Sequence, residues 1–101
     1  MADTAVFFSD YLPNKLAADE SLKDIGKTFL FDIEGAGKWS LDLSELSVSE
    51  GGDDADCVIT CAKDDWEMML DNPSLAMQLF MMGKLKASDL GLATQLQRIL
   101  G

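Results

Sequence analysis

The sequence predicts an α+β domain in two layers, with a five-stranded, mainly antiparallel sheet and helices packed on one face. Two alternating apolar runs, 28–33 and 38–43, flank a short glycine-containing turn, which indicates a β-hairpin. Segments with helical periodicity stand before and after the strands, so helices gather on one face while the other alternates with polar residues. A length of 101 residues suits one domain, and we expect it to span residues 1–101.

The first element is expected to be a helix from Thr4 to about Leu22. Pro13 interrupts its pattern, because proline has no backbone N–H to donate to the preceding turn. Leu16 and Ala17 allow one or two further turns after the proline. The apolar residues before it are Val6, Phe7, Tyr11 and Leu12.

The strands that follow are identified by alternation. Gly35-Ala36-Gly37 joins the first two as a hairpin turn; no helix follows it and no Lys-Ser/Thr pair closes it, so it is not a phosphate loop. Leu46 and Val48 predict a third strand, and Asp56–Ala62 predicts a fourth. Within each strand the apolar residues are expected to face one way: Phe29, Phe31 and Ile33 in the first, Trp39, Leu41 and Leu43 in the second, and Cys57, Ile59 and Cys61 in the fourth.

An acidic loop separates the third strand from the fourth. Asp53, Asp54 and Asp56 could hold a calcium ion, but the loop lacks the twelve-residue ligand spacing and the terminal bidentate glutamate of a calcium loop. We therefore expect a solvated turn and no metal site.

Two helices and a short strand come next. Asp64 is expected to cap the first helix, with Glu67 at its third position as in a capping box. Asn72 is expected to cap the second, 73–83, and residues 84–86 alternate as a fifth strand. The apolar residues of the two helices are Trp66, Met69 and Leu70, then Leu75, Ala76, Met77, Leu79, Phe80, Met81 and Met82.

A last helix is expected over 89–100, capped by Ser88 or Asp89, and it carries two stripes. Leucines and an isoleucine form the stripe that suits core packing, and a second stripe lies beside it. The helix over 73–83 and this last helix together have more apolar surface than one sheet face can cover. A lipid or a partner protein must therefore cover the remainder. The first stripe is Leu92, Leu96, Ile99 and Leu100, and the second is Leu90, Ala93 and Gln97.

Charge and composition exclude several functions. A net charge of -10 and a pI near 4.1 argue against nucleic acid as a partner and allow at most transient contact with anionic membranes. The absence of histidine removes Ser-His-Asp and Cys-His catalytic systems and the commonest zinc ligand. We expect no catalytic residue and no cofactor.

The two cysteines indicate a reducing compartment. Cys57 and Cys61 stand four apart in a predicted strand, about 13 Å at roughly 3.3 Å per residue, which excludes a disulfide. Free buried thiols suit reducing conditions. No secretory leader or membrane-spanning run is evident, so a cytoplasmic location is expected.

Methionine is in excess near the helices: five of the six methionines fall within residues 68–82. Methionine is an adaptable core filler, and it also forms pliable walls for variable apolar guests. Composition leaves both interpretations open.

Several segments in order resemble the sterol carrier protein 2 domain family. Residues 29–43 resemble the family's first hairpin, and the likeness as a whole covers about residues 4–100. The other matching segments are Ala55-Asp56-Cys57-Val58-Ile59-Thr60, Phe80-Met81-Met82-Gly83-Lys84-Leu85-Lys86 and Leu92-Ala93-x-x-Leu96.

The resemblance implies an apolar tunnel between sheet and helices that binds or transfers fatty acids, fatty acyl-CoA or sterols without catalysis. Gln97 is the one polar group placed to bind a ligand's head, although it could equally face solvent. The expected ligand-binding residues are Trp39 and Ile59 in the floor, Trp66, Met69, Leu70, Leu75, Phe80 and Met81 in the walls, and Leu90, Ala93 and Gln97 in the lid.

Two other functions fit the same surplus of apolar surface. One is a protein-interaction module that buries this surface against a second copy of the chain or a lipid-metabolising enzyme. The other is an accessory that presents a prenyl or acyl substrate to enzymes of lipid or quinone synthesis. If the chain is a lipid-binding domain, its expected partner is an apolar lipid.

The two stripes of the last helix are predicted to respond differently to mutation. Leu96→Ala removes a core side chain and should cost about 2–5 kcal/mol of stability with or without lipid. Leu90→Ser should cost the empty protein much less and should weaken lipid binding by about 1–3 kcal/mol. Denaturation curves and binding isotherms of both variants test this; equal destabilisation with unchanged affinity would make Leu90 a core residue.

Overall fold

The computed structural model describes residues 3–52, 54–72 and 74–95, the side chain of Leu90 excepted, and contains a five-stranded sheet in the order β3-β2-β1-β4-β5. Strand β1 (Thr28–Glu34) is central and pairs antiparallel with β2 (Gly37–Asp42) and parallel with β4 (Cys57–Ala62). Strands β3 (Ser47–Glu50) and β5 (Leu85–Ala87) form antiparallel edges. The predicted α+β class and mainly antiparallel sheet are confirmed.

One face of the sheet carries the core. Phe31 lies beside Trp39 on β2 and beside Ile59 on β4, so these three side chains share a face. The strand residues buried on this inner face are Phe29, Phe31, Ile33, Leu41, Cys57, Ile59, Cys61 and Leu85.

The N-terminal helix consists of three consecutive segments, α1 (Thr4–Val6), a π-helical turn (Phe7–Tyr11) and α2 (Leu12–Ala18). Pro13 lies in the first turn of α2, the position at which its missing N–H is tolerated, and the wider π turn precedes it. The helix therefore continues past the proline, as predicted. It ends at residue 18, and a 3₁₀ turn (Glu20–Asp24) replaces the last turns that we predicted.

The predicted capping box at the start of α3 (Lys63–Asp71) is wrong. The helix begins one residue before Asp64, and the extended Ala62 is its N-cap, without a side-chain hydrogen bond. Asp64 lies in the first turn, where the helix dipole favours its charge. The Glu67 carboxylate reaches the N-terminal helix instead, and accepts hydrogen bonds from the N–H and the hydroxyl of Thr4 at 2.9 and 3.0 Å.

Helix α4 (Leu75–Met81) begins later than predicted. The side-chain oxygen of Asn72 accepts a 2.6 Å hydrogen bond from the Ser74 hydroxyl, and the Asn72 carbonyl accepts one from the Leu75 N–H at 3.0 Å. Asn72 thus belongs to a turn before the helix, and the predicted first residue, Pro73, lies outside the described residues.

Helix α5 (Leu90–Ala93) lies at the start of the predicted last helix, and residues 94 and 95, which were predicted to continue it, form a turn. Asp89 caps it, because its carboxylate accepts a hydrogen bond from the Leu92 N–H at 3.1 Å. Leu92 packs partly buried against the core, as predicted for its stripe. The remaining members of the two stripes, in 96–100, lie outside the described residues.

The outer face of the sheet is partly covered by the start of the connection from β3 to β4. The Ser40 hydroxyl donates a 2.6 Å hydrogen bond to the Gly51 carbonyl, and Gly52 lies so close to Ser40 that an added Cβ would overlap the hydroxyl oxygen. The same Cβ would lie 3.4 Å from the Leu30 side chain, which is 4% exposed. Leu30 is therefore buried on the face that we expected to meet water.

Gly52→Ala is predicted to destabilise the protein by about 2–4 kcal/mol, because it combines an unfavourable positive φ with a steric overlap. Gly52 has φ +126°, whereas the neighbouring Gly51 has φ +87° with no atom within 4 Å of an added Cβ. Gly51→Ala is the matched control and should cost about 1 kcal/mol. Urea denaturation of both variants measures the difference; equal costs would show that contact with Ser40 is unimportant.

Candidate functional site

Aromatic rings fill the layer between the sheet and the helices. The ring of Phe8 is nearly parallel to two indoles, with its centroid 4.5 Å from Trp39 and 5.9 Å from Trp66. Phe31 lies 5.2 Å from Phe8 and 5.4 Å from Trp66, and Phe7 meets the Trp66 indole edge-on at 5.9 Å. We call Phe7, Phe8, Phe31, Trp39 and Trp66 the aromatic cluster.

Four elements bring the aromatic cluster together: the N-terminal helix, β1, β2 and α3. Residues four apart on the N-terminal helix, Phe8, Leu12 and Leu16, are each no more than 2% exposed and face the sheet. Strand β2 contributes Trp39, and helix α3 contributes Trp66. The hydrogen bonds from Thr4 to the carboxylate of Glu67, described above, hold the N-terminal helix against α3 and so keep Trp66 close to Phe8.

Few polar groups are buried in the described part of this interior. In the described part of the chain, Thr4 is the one buried polar residue and is satisfied by Glu67. The indole Nε1 of Trp66 is buried without a hydrogen-bond acceptor. No metal-binding group of three His, Cys, Asp or Glu side chains occurs among residues 3–52, 54–72 and 74–95. The interior is thus built to hold apolar groups.

Phe80 is half-buried on α4, and seven other predicted ligand-binding residues lie in or against this core. Of these seven, Ile59, Trp66 and Met69 are 0% exposed. The others are partly buried and pack against the core: Trp39, Leu70, Leu75 and Ala93. The structure brings these residues together with the aromatic cluster, so the predicted floor and most of the walls are neighbours.

Met81 is the exception, since its side chain is 80% exposed. Helix α4 turns Ala76 and Leu79 toward the core, which places Met77 and Met81, four residues apart, on the outside. The expectation that Met81 lines the interior does not hold in this structure. Met68, Met77 and Met82 are also between 49% and 59% exposed, so apolar surface does remain uncovered.

Other predictions about the site are untested by the structure. The Leu90 side chain and Gln97 lie outside what the structure describes. The space in which we expected a tunnel is occupied by the aromatic cluster, so the tunnel remains a prediction. A pocket of about 230 Å³ lies instead on the outer face, where Ser40, Asp42 and Ser49 contribute polar groups unsuited to an apolar ligand.

Sequence reasoning missed the contribution of the N-terminal helix to the site. Phe7 and Phe8 are buried, whereas Val6 and Tyr11 are 51% and 45% exposed. The four-residue spacing of Phe8 with Leu12 and Leu16 was the available signal, but the π turn and Pro13 obscured it.

The described part of the chain contains no helix long and apolar enough to cross a membrane.

Comparison with known proteins gives a consistent result. The model of the SCP-2 sterol transfer family matches residues 8–101. The sterol carrier protein domain 2 of Helicoverpa armigera is 26% identical, with a TM-score of 0.73 over 94% of this chain and 87% of that one. No curated protein sequence matches the chain.

Two further solved structures share the fold at lower identity. The Aedes aegypti sterol carrier protein 2 in complex with palmitate is 17% identical, with a TM-score of 0.78 over 100% of this chain and 97% of that one. The ubiquinone synthesis protein UbiJ-SCP2 is 20% identical, with a TM-score of 0.71 over 96% of this chain and 91% of that one.

The two cysteines are free and buried, as predicted. Burial raises the pKa of the Cys61 thiol to about 12, and the negative charge of Asp65 adds to the shift. Burial also raises the pKa of Cys57, whose thiol donates a 3.6 Å hydrogen bond to the Asp89 carbonyl. Neither thiol is activated for nucleophilic chemistry.

Stability is predicted to fall at alkaline pH because of Cys61. A thiol whose pKa is raised by folding contributes fully below its unfolded pKa, near 9.0, and its contribution is lost as the pH rises toward 12. The urea midpoint should therefore decline over this interval. Cys61→Ala should show a smaller decline, since only the contribution of Cys57 is common to both proteins; parallel declines would contradict a buried neutral thiol.

Proposed function

The chain belongs to the SCP-2 sterol transfer family, and we propose that it binds and carries a hydrophobic lipid without catalysing a reaction. The ligand is of the fatty acid, fatty acyl-CoA or sterol type and lies between the sheet and the helices. The family match over residues 8–101 is the observation that carries the proposal. Among the described residues, the interior consists of apolar side chains and contains one unpaired buried donor, Trp66 Nε1, which supports binding more than chemistry.

The lipid needs space that Phe8 now fills. Phe8 is held by ring contacts with Trp39 and Trp66 and by no hydrogen bond of its side chain, so an acyl chain can replace its contacts with equivalent ones. Removing apolar ligand surface from water supplies roughly 25 cal/mol per Å². Displacement of the N-terminal helix away from α3, which breaks the hydrogen bonds between Thr4 and Glu67, would open the layer.

The proposed ligand contacts follow from this position. Phe8 is added to the residues expected from sequence, and Met81 is removed because of its exposure. Leu90, Ala93 and Gln97 remain the proposed lid. The floor and walls are Trp39, Ile59, Trp66, Met69, Leu70, Leu75 and Phe80.

The exposed methionines favour a second candidate function. Met68, Met77, Met81 and Met82 form adaptable apolar surface on and beside α3 and α4. This surface suits a second copy of the chain or an enzyme of lipid or quinone metabolism, and the fold shared with UbiJ-SCP2 agrees with the latter. In either case we place the protein in the cytoplasm, where its thiols stay reduced.

A lipid that binds is predicted to raise the free energy of unfolding by about 2.7 kcal/mol when its free concentration is a hundred times its dissociation constant. Palmitate, palmitoyl-CoA and a cholesterol analogue are the probes, and thermal melting is the readout. Phe8→Ala should lower the melting temperature of the empty protein. Adding lipid should raise the melting temperature of Phe8→Ala more than that of Val6→Ala, an exposed control on the same helix. Melting curves that no probe moves would contradict lipid binding and favour the interaction module.

A further inference from the structure

Trp66 presents a buried hydrogen-bond donor for which residues 3–52, 54–72 and 74–95 supply no acceptor. Its side chain is 0% exposed, and its Nε1 has no acceptor within the described residues. Buried polar groups are almost always paired, because an unpaired one loses its hydrogen bonds to water without replacement. The nearby buried polar residue, Thr4, does follow this rule through Glu67.

The surroundings of the indole restrict what can accept this hydrogen bond. The rings in contact with Trp66 are those of Phe7, Phe8 and Phe31, none of which offers an acceptor oxygen. Trp66 is flanked in sequence by Asp65 and Glu67, and the chain carries a net charge of -10. An anion next to Trp66 would be buried without a cation, facing aromatic rings whose faces are negative.

We propose that Trp66 Nε1 donates a hydrogen bond to a carbonyl oxygen of the bound lipid, and that the ligand is a neutral, carbonyl-bearing lipid such as a ketone, ester, thioester or quinone. The inference rests on the proposed lipid-binding function and narrows its ligand class. Indole is a donor only, so the ligand must supply the acceptor. A hydroxyl group would bring a second donor beside rings that offer it no acceptor oxygen, and an ionised carboxylate would bring an unpaired charge.

The geometry of the aromatic cluster is compatible with this bond. Phe8 covers one face of the Trp66 indole at an interplanar angle of 4°, and the N–H points outward in the ring plane. A ligand chain that replaces Phe8 against the indole face can therefore place its oxygen at the ring edge. Trp39, whose ring is stacked on Phe8 at 4.5 Å, is proposed to contact the chain and not the oxygen.

Three probes of similar length test the inference: 2-heptadecanone, palmitate and heptadecane, each delivered from cyclodextrin. Their affinities are measured for the wild type, Trp66→Phe and the matched control Trp39→Phe. The ketone should bind the wild type about tenfold more tightly than heptadecane, and more tightly than ionised palmitate. Trp66→Phe should abolish the ketone preference, and Trp39→Phe should retain it.

The indole N–H resonances of the wild type give a readout that does not depend on a variant's folding. The Trp66 resonance should shift with 2-heptadecanone and not with heptadecane, while the Trp39 resonance should not distinguish them. If heptadecane and the ketone bind equally, or the ketone preference survives in Trp66→Phe, the hydrogen bond is refuted while lipid binding stands. If no probe binds, both the inference and the proposed function are contradicted.

Discussion

Burial of the central strand on both faces is the constraint on which the rest of this structure depends. Strand β1 is paired with a strand on each side, and its side chains alternate between the two faces of the sheet. Phe29, Phe31 and Ile33 require cover from the helices, and Leu30 requires cover on the outer face. The N-terminal helix and α3 cover the inner face, and the backbone at Gly52 covers Leu30 on the outer face.

The inner cover joins stability to the proposed function. The same rings that exclude water from Phe31 occupy the volume in which a lipid is proposed to lie. Phe8 is the ring that we propose to move, because it belongs to a helix joined to the sheet by side-chain packing. Trp39 is anchored in a strand, and Trp66 belongs to a helix that follows β4 directly.

The strands were predictable from sequence because alternation with a period of two reports a half-buried sheet directly. The direction of strand pairing was less predictable, because strand β4 shows the same alternation whether it runs parallel or antiparallel to β1. The capping box failed because Asp64 and Glu67 satisfy a local pattern, whereas Glu67 is engaged by Thr4, 63 residues away. The importance of Phe8 was hidden because the π turn changes which residues of the helix face the sheet.

Native mass spectrometry of the protein purified from cells, before and after organic extraction, tests most directly whether the layer between sheet and helices is a lipid compartment. The account predicts the mass of the chain plus one lipid, with the added mass lost on extraction and restored by incubation with that lipid. A spectrum showing only the bare chain, or copies of the chain associated without lipid, and no uptake on incubation would contradict it.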